Sequence, residues 1–166
     1  MGHMFGVRCG QCDYKFQANI GHGFLGCGFF EPDYDTGKPW YHSYITSKKI
    51  ISDIEGILET WDDVREDEDA YEQRDEWHGH GSAQYLCPKC GRLHNKFFFA
   101  LIGSGGKYQP TYSCSKCKSL LELVDLIRTE AGEIQIKSGL SLSWKCPNCG
   151  SDKLVVDNEA DIICYD

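Results

Sequence analysis

Cys87-Pro88-Lys89-Cys90-Gly91 and Cys146-Pro147-Asn148-Cys149-Gly150 are two copies of one local design, and they decide how the chain folds. Two cysteines separated by two residues in a tight turn can aim both sulfurs at one point, where backbone N–H groups stabilise thiolate charge. Proline fixes the turn, and glycine supplies the left-handed position after the second cysteine. Cys9-Gly10-Gln11-Cys12 and Cys114-Ser115-Lys116-Cys117-Lys118 repeat the spacing in looser form. Each knuckle supplies half of a tetrahedral zinc site. The ligands expected for two structural Zn2+ ions are therefore Cys9, Cys12, Cys87, Cys90, Cys114, Cys117, Cys146 and Cys149.

The spacing leaves two pairings open. Cys87/Cys90 with Cys114/Cys117 encloses 23 residues, enough for one long hairpin between knuckles and close to the spacing of a zinc ribbon. Cys9/Cys12 then joins Cys146/Cys149, a nested arrangement that brings distant segments together; sequential pairing of first with second and third with fourth is the rival. Nesting is favoured, with the helical segment as an insertion in one unit.

Ten cysteines in 166 residues also suit a disulfide framework, but eight of them fall into these equal pairs. The start, Met1-Gly2-His3-Met4-Phe5, lacks the charged and apolar regions of a signal peptide, and no run of eighteen apolar residues occurs. A cytoplasmic location with no membrane contact is the expectation, and Met1-Gly2-His3 reads as a tag remnant before a native start at Met4. Cys27 and Cys164 stand outside the knuckles and read as small buried hydrophobes. A sharper reading joins Cys27 to His22, or to His78 and His80, as a third metal site or a nucleophile pair.

The net charge of −8 is uneven: residues 53 to 76 hold twelve Asp or Glu against Arg65 and Arg74, a local −10. Over Ser47 to Trp77 the apolar residues Ile50, Ile54, Ile57, Leu58, Trp61, Val64 and Tyr71 recur mostly at three- and four-residue spacing, which predicts a long amphipathic helix with an acidic outer face. Ser52-x-x-Glu55 suggests a capping box, with the helix proper starting near Asp53. Elsewhere the patterns are β: Phe5 to Arg8 and Tyr14 to Ile20 around the first knuckle, Lys96 to Ile102 and Lys107 to Ser113 around the turn Gly103 to Gly106, then Glu133 to Lys137 and Leu140 to Lys145. Lys153 to Val156 and Asp161 to Tyr165 read as a hairpin joined across Asp157-Asn158, whereas Leu120 to Arg128 reads as a helix. The glycines of Gly21 to Phe30 require positive φ or a close backbone approach.

The fold class is thus α+β: zinc-ribbon β-hairpins around two four-cysteine sites, with one long acidic helix inserted. Residues 1–30 form the N-terminal knuckle and glycine-rich segment, 31–81 the loop and acidic insertion, 82–128 the central ribbon, and 129–166 a β segment with the last knuckle. The motifs Cys-Pro-Lys-Cys-Gly and Cys-Pro-Asn-Cys-Gly beside β-hairpins resemble the zinc-ribbon superfamily. Together with Cys9-x-x-Cys12 and Gly21-His22-Gly23-Phe24, they resemble uncharacterised bacterial proteins with several such knuckles. The resemblance implies a zinc-stabilised β fold and names no function, because ribbons serve many.

Three functions fit these residues. The first is a non-catalytic zinc-binding protein that recognises another protein, with a basic partner for the acidic segment. The second is nucleic-acid binding through Lys89, Arg92, Lys96, Lys107, Lys116 and Lys118, disfavoured by the overall charge. The third is a cysteine- or metal-dependent enzyme, disfavoured because four cysteine ligands leave zinc no open position. No catalytic and no cofactor-binding residues beyond the zinc ligands are assigned. His94 is a spare ligand, Gly103 to Lys107 a hairpin turn more than a phosphate loop, and Phe97, Phe98, Phe99, Tyr108 and Tyr112 core more than a stacking platform for single strands.

Overall fold

The computed structural model describes residues 2–21, 28–70, 79–138, 144–157 and 163–165. In chain order the first elements are β1 (Gly2–Cys9), β2 (Lys15–Ile20), α1 (Tyr41–Tyr44), α2 (Lys48–Thr60) and β3 (Arg65–Glu66). They are followed by β4 (Gly81–Leu86), β5 (Leu93–Phe98), β6 (Leu101–Gly103), β7 (Gly106–Tyr108), β8 (Glu122–Arg128), β9 (Ile134–Ser138), β10 (Leu154–Val156) and β11 (Ile163–Tyr165). The mixture of α and β is as expected, and all the strand pairs are antiparallel.

β1 is the centre of the first sheet. It pairs with β2 across the first knuckle, Val7 opposite Phe16, and its other edge takes β10 and β11 in turn, with Val7 opposite Val156 and Met4 opposite Ile163. The hairpin expected across Asp157-Asn158 is therefore corrected: β10 and β11 are two pieces of one interrupted edge, both bonded to β1. The second sheet runs β5-β4-β8-β9 and the third β3-β6-β7.

The first two sheets meet at both ends. On one side Glu133 bridges to Val155 and the Val156 N–H donates to the Gly132 carbonyl at 3.1 Å. On the other, Gly21 and Ser82 exchange backbone bonds of 3.0 and 2.7 Å. A positive φ of 82° at Gly21, and a Gly81 whose added Cβ would meet the Gly21 carbonyl carbon at 2.9 Å, supply the close approach expected of this segment.

Between those bridges, side-chain amides take the place of a neighbouring strand. The Asn95 amide donates to the Gln17 carbonyl at 2.7 Å and its oxygen accepts the Asn19 N–H at 3.0 Å, while fully buried Gln84 donates to the Asn19 carbonyl. Losing the Asn95 amide strands two backbone groups of β2. Asn95→Ala is therefore expected to lower the unfolding free energy by about 2 kcal/mol with bound metal unchanged, measured by urea denaturation and metal content. At the free side of β5, the Leu93 N–H donates to the Tyr14 hydroxyl at 3.3 Å and the Tyr112 hydroxyl donates to the Phe97 carbonyl at 2.6 Å.

Inside the joined sheets lie Val7, Ala18, Leu86, Val124, Leu126, Ile134, Trp144, Leu154 and Val156, with Cys9 and Cys146. The alternation of Val124 with Leu126 and of Leu154 with Val156 is what a strand with one covered face requires. A second core surrounds Cys87 and Cys114, and a third packs α1 and α2 on Phe99 and Leu101.

Two helix expectations are corrected. α2 runs only over Lys48–Thr60, starting at an N-cap Ser47 whose oxygen accepts the Ile50 N–H, so the Ser52 box is not its start. It buries Ile50, Ile54 and Ile57 and ends as Trp61 turns extended. Trp61 and Val64 keep helical spacing in the sequence, yet they pack with the third core, and a left-handed Asp63 (φ 55°) turns the chain into β3. The acidic run is therefore not the outer face of a long helix: Asp62 and Asp63 lie in the turn, and Glu66 in a strand. Residues 71–77, the rest of that predicted helix, lie outside the described residues. Within the helix predicted over Leu120 to Arg128, Glu122–Arg128 form a strand, β8, because their apolar residues fill positions beside β4 and β9. The strand predicted over Lys96 to Ile102 divides at Phe99-Ala100 into β5 and β6, and most of the predicted Leu140 to Lys145 strand lies outside the described residues.

Candidate metal centres

All four knuckles use one backbone device. The N–H of the first cysteine donates to the carbonyl five residues on, at 2.9 Å in Cys9 to Tyr14, 2.9 Å in Cys87 to Arg92, 2.8 Å in Cys114 to Ser119 and 2.7 Å in Cys146 to Ser151. In the last three, the fourth residue after the first cysteine donates back to its carbonyl, from Gly91, Lys118 and Gly150 at 2.9 to 3.0 Å. That residue is left-handed in each, with φ of 69° at Gly91, 61° at Lys118 and 77° at Gly150, so the glycines stand where the turn requires them. Lys118 bears the strain of a side chain in this region. Lys118→Gly is expected to stabilise the protein by about 0.5 kcal/mol, read from the urea midpoint.

The turns bring the eight cysteines together as two clusters in the nested pairing. Cys9, Cys12, Cys146 and Cys149 form one, and Cys87, Cys90, Cys114 and Cys117 the other, each with all four sulfurs within 4.8 Å of one another. The closest pairs are Cys9 and Cys149 at 3.6 Å, Cys12 and Cys146 at 3.5 Å, Cys87 and Cys117 at 3.3 Å, and Cys90 and Cys114 at 3.7 Å. A disulfide needs about 2 Å. Four sulfurs around one zinc at Zn–S of about 2.3 Å would stand about 3.8 Å apart, so both clusters fit a tetrahedral ion.

The clusters also have the electrostatics of a cation site. The Ser119 hydroxyl and N–H bring the Cys117 thiol down to about 6, whereas burial and the adjacent Cys117 sulfur push Cys87 up to about 12. In the other cluster, burial raises the Cys9 thiol, but the Gln11 N–H at 3.4 Å and the Cys149 sulfur outweigh it and bring it down to about 7. Cys12 is favoured as a thiolate by the Tyr14 backbone, yet burial and the Cys149, Cys146 and Cys9 sulfurs push it up to about 12. Four thiolates in so small a space repel one another, and a dication relieves that repulsion as the thiols give up their protons.

The clusters are neighbours in space. Trp144, just before the last knuckle, donates its indole N–H to the Gly91 carbonyl at 3.0 Å, and a Cβ on Gly91 would stand 1.9 Å from the Lys145 carbonyl oxygen. Between the knuckles runs a groove of about 390 Å³ lined by Cys87, Cys90 and Cys146 and by Lys89, Lys116 and Lys145.

Other candidate residues have structural settings. His94 lies on β5 outside both clusters, and burial, Lys96 and Arg92 hold its pKa below the usual range. His80, 2% exposed, sits with its Nδ1 2.6 Å from Glu66, whose other oxygen accepts the Phe29 N–H at 3.2 Å. This contact, between Glu66 of β3 and a histidine 14 residues further on, has no sequence signature. Cys27, His22, His78 and the Cys164 side chain lie outside the described residues. Phe98 and Phe99 are fully buried and Phe97, Tyr108 and Tyr112 pack against cores, while Gly103 to Lys107 joins β6 to β7 as a hairpin. Among the described residues no helix is long and apolar enough to cross a membrane.

The chain thus holds two tetra-cysteine clusters able to bind metal ions, built from knuckles like those of zinc ribbons. No protein-family model matches it, and neither a curated protein nor a solved structure shows significant similarity to it.

Proposed function

We propose that this chain is a non-catalytic, cytoplasmic zinc-binding protein that holds two structural zinc ions and uses the resulting scaffold to recognise another protein. The observation that carries the reading is the pair of clusters, each offering four sulfurs at tetrahedral spacing and, among the described residues, no other donor. Zinc bound by four cysteines supplies folding energy and has no position left for water or substrate. The residues do the rest: the knuckle N–H groups fix the turns, Gln11 and Ser119 favour thiolate at Cys9 and Cys117, and the buried ligands tie the knuckles to their cores.

Protein recognition is favoured over nucleic acid by where the charges stand. Lys89, Lys116 and Lys145 line the groove beside the cysteine clusters, where they offset the negative charge of zinc tetrathiolates. Lys107 pairs with Asp67 at 2.8 Å and Lys96 lies 5.6 Å over the Tyr112 ring. On the acidic side Glu66 and Asp67 are engaged within the fold, and exposed Asp62, Asp63 and Glu68 are the carboxylates offered to a basic partner. The test is native mass spectrometry of the purified protein. Two zinc ions per chain are expected, and iron or no metal overturns the zinc reading. A variant with Asp62, Asp63 and Glu68 changed to their amides should keep both ions and lose cross-linking to its partner, whereas tight, salt-sensitive oligonucleotide binding would favour nucleic acid.

A further inference from the structure

The two clusters share a ligand set and differ in their setting. In the central cluster Cys87 and Cys114 are fully buried, and Cys90 and Cys117 pack against the same core as Ala83, Tyr85, Phe98 and Leu121. In the terminal cluster Cys9 and Cys146 are buried and Cys12 packs against the core, but Cys149 is exposed and, among the described residues, belongs to no core. Its first knuckle also differs. Asp13, the fourth residue after Cys9, lacks the left-handed conformation that closes the other three turns: the non-glycine residues with positive φ among those described are Asp63 and Lys118. The central ligands lie 24 and 30 residues apart across their closest sulfur pairs, whereas the terminal ones lie 134 and 140 apart. One cluster closes a local ribbon, and the other clasps remote parts of the chain.

We propose that the terminal cluster is an exchangeable metal site and the central cluster a permanent one, so that the protein passes through a state with one ion. Cys149 is the point of entry. A reagent reaching its sulfur removes one ligand of four, and the remaining three no longer saturate the ion. Loss of the terminal ion releases the clasp between the β1 end and the β10 end, while the central ribbon of β4 and β5 keeps its own. In this way the chain can report the supply of zinc or the presence of thiol-reactive compounds by opening one seam without unfolding. This rests on the zinc reading above.

The experiment uses the full chain with its metal and N-ethylmaleimide, an uncharged reagent that the lysines beside Cys87 and Cys90 do not steer. The thiolate adds across the maleimide double bond with no leaving group, and native mass spectrometry counts ions and adducts in the same spectrum. Peptide mapping then assigns the adducts. The expected course is a one-zinc species carrying label on Cys149 and its cluster partners, formed at least about tenfold faster than label appears on Cys87, Cys90, Cys114 or Cys117. Hydrogen exchange of that species should rise in β1 and β10 and stay low in β4 and β5. Central labelling first, loss of both ions in one step, or two ions retained without label while the denatured chain reacts fully would each overturn the proposal. A spectrum without two zinc ions before reagent is added overturns the zinc reading itself, so the two failures are distinct.

Discussion

Gly91→Ala is expected to destabilise the protein by about 4 kcal/mol, whereas Gly150→Ala, at the same place in a sister motif, should cost about 1 kcal/mol. Both glycines are left-handed, so both substitutions carry the penalty of a Cβ in that region. They differ in what the new atom meets. At Gly150 nothing lies within 4 Å, while at Gly91 the Lys145 carbonyl oxygen is 1.9 Å away and the carbonyl carbon 3.1 Å. That obstacle is backbone, and it precedes the ligand Cys146, so it cannot turn aside as a side chain would. Relief requires the second knuckle to move off the fourth, breaking the Trp144 bond to the Gly91 carbonyl. Urea unfolding of the two variants reads the difference directly. Equal losses would mean that the two knuckles are not in contact in solution.

Changing Cys9 and Cys12 together to serine should reduce bound zinc from two ions to one and lower the unfolding free energy by about 5 kcal/mol or more. The pair Cys114→Ser and Cys117→Ser should likewise remove one ion. The two losses should differ in reach. Closing a loop of 134 residues removes more freedom from the unfolded chain than closing one of 24, by about 1.5 kcal/mol on loop-closure entropy alone. The terminal variant should also lose protection across the β1 to β10 ladder, because Cys9 is the last residue of β1 and pairs with Leu154. The central variant should lose it in β4 and β5, where the second knuckle forms the turn. Hydrogen exchange with metal counting separates the two patterns, and identical patterns would show that the clusters do not divide the fold between them.

The knuckles were legible because their chemistry is local. Four residues fix each turn, and the spacer between Cys90 and Cys114 favours the nested pairing that the sheets complete. Periodicity misled where tertiary contacts took over. Trp61 and Val64 continue the helical spacing of Ile54 and Ile57, but Trp61 lies against the β6 to β7 hairpin, whose Gly103 and Gly105 leave room for its ring. The helix yields to that packing at Thr60. Leu121, Val124 and Leu126 suit either a helix face or a strand, and only the neighbouring strands β4 and β9 decide. Gln84 and Asn95 carried no signal, since their partners on β2 lie 65 to 78 residues away. The same holds for Glu66: a run of acidic residues reads as solvated surface, and one member of it anchors a buried histidine.

The tyrosine hydroxyls along β5 bear on behaviour at high concentration. A sheet ending in an open strand is a template on which another molecule can lay its own backbone, and repetition of that step yields fibres. Here Tyr14 and Tyr112 occupy backbone groups at Leu93 and Phe97 that an incoming strand would need, at opposite ends of the same edge. Phenylalanine at either position would keep the ring and open that backbone group of β5 to an incoming strand, so along this edge two oxygen atoms take the place of a neighbour.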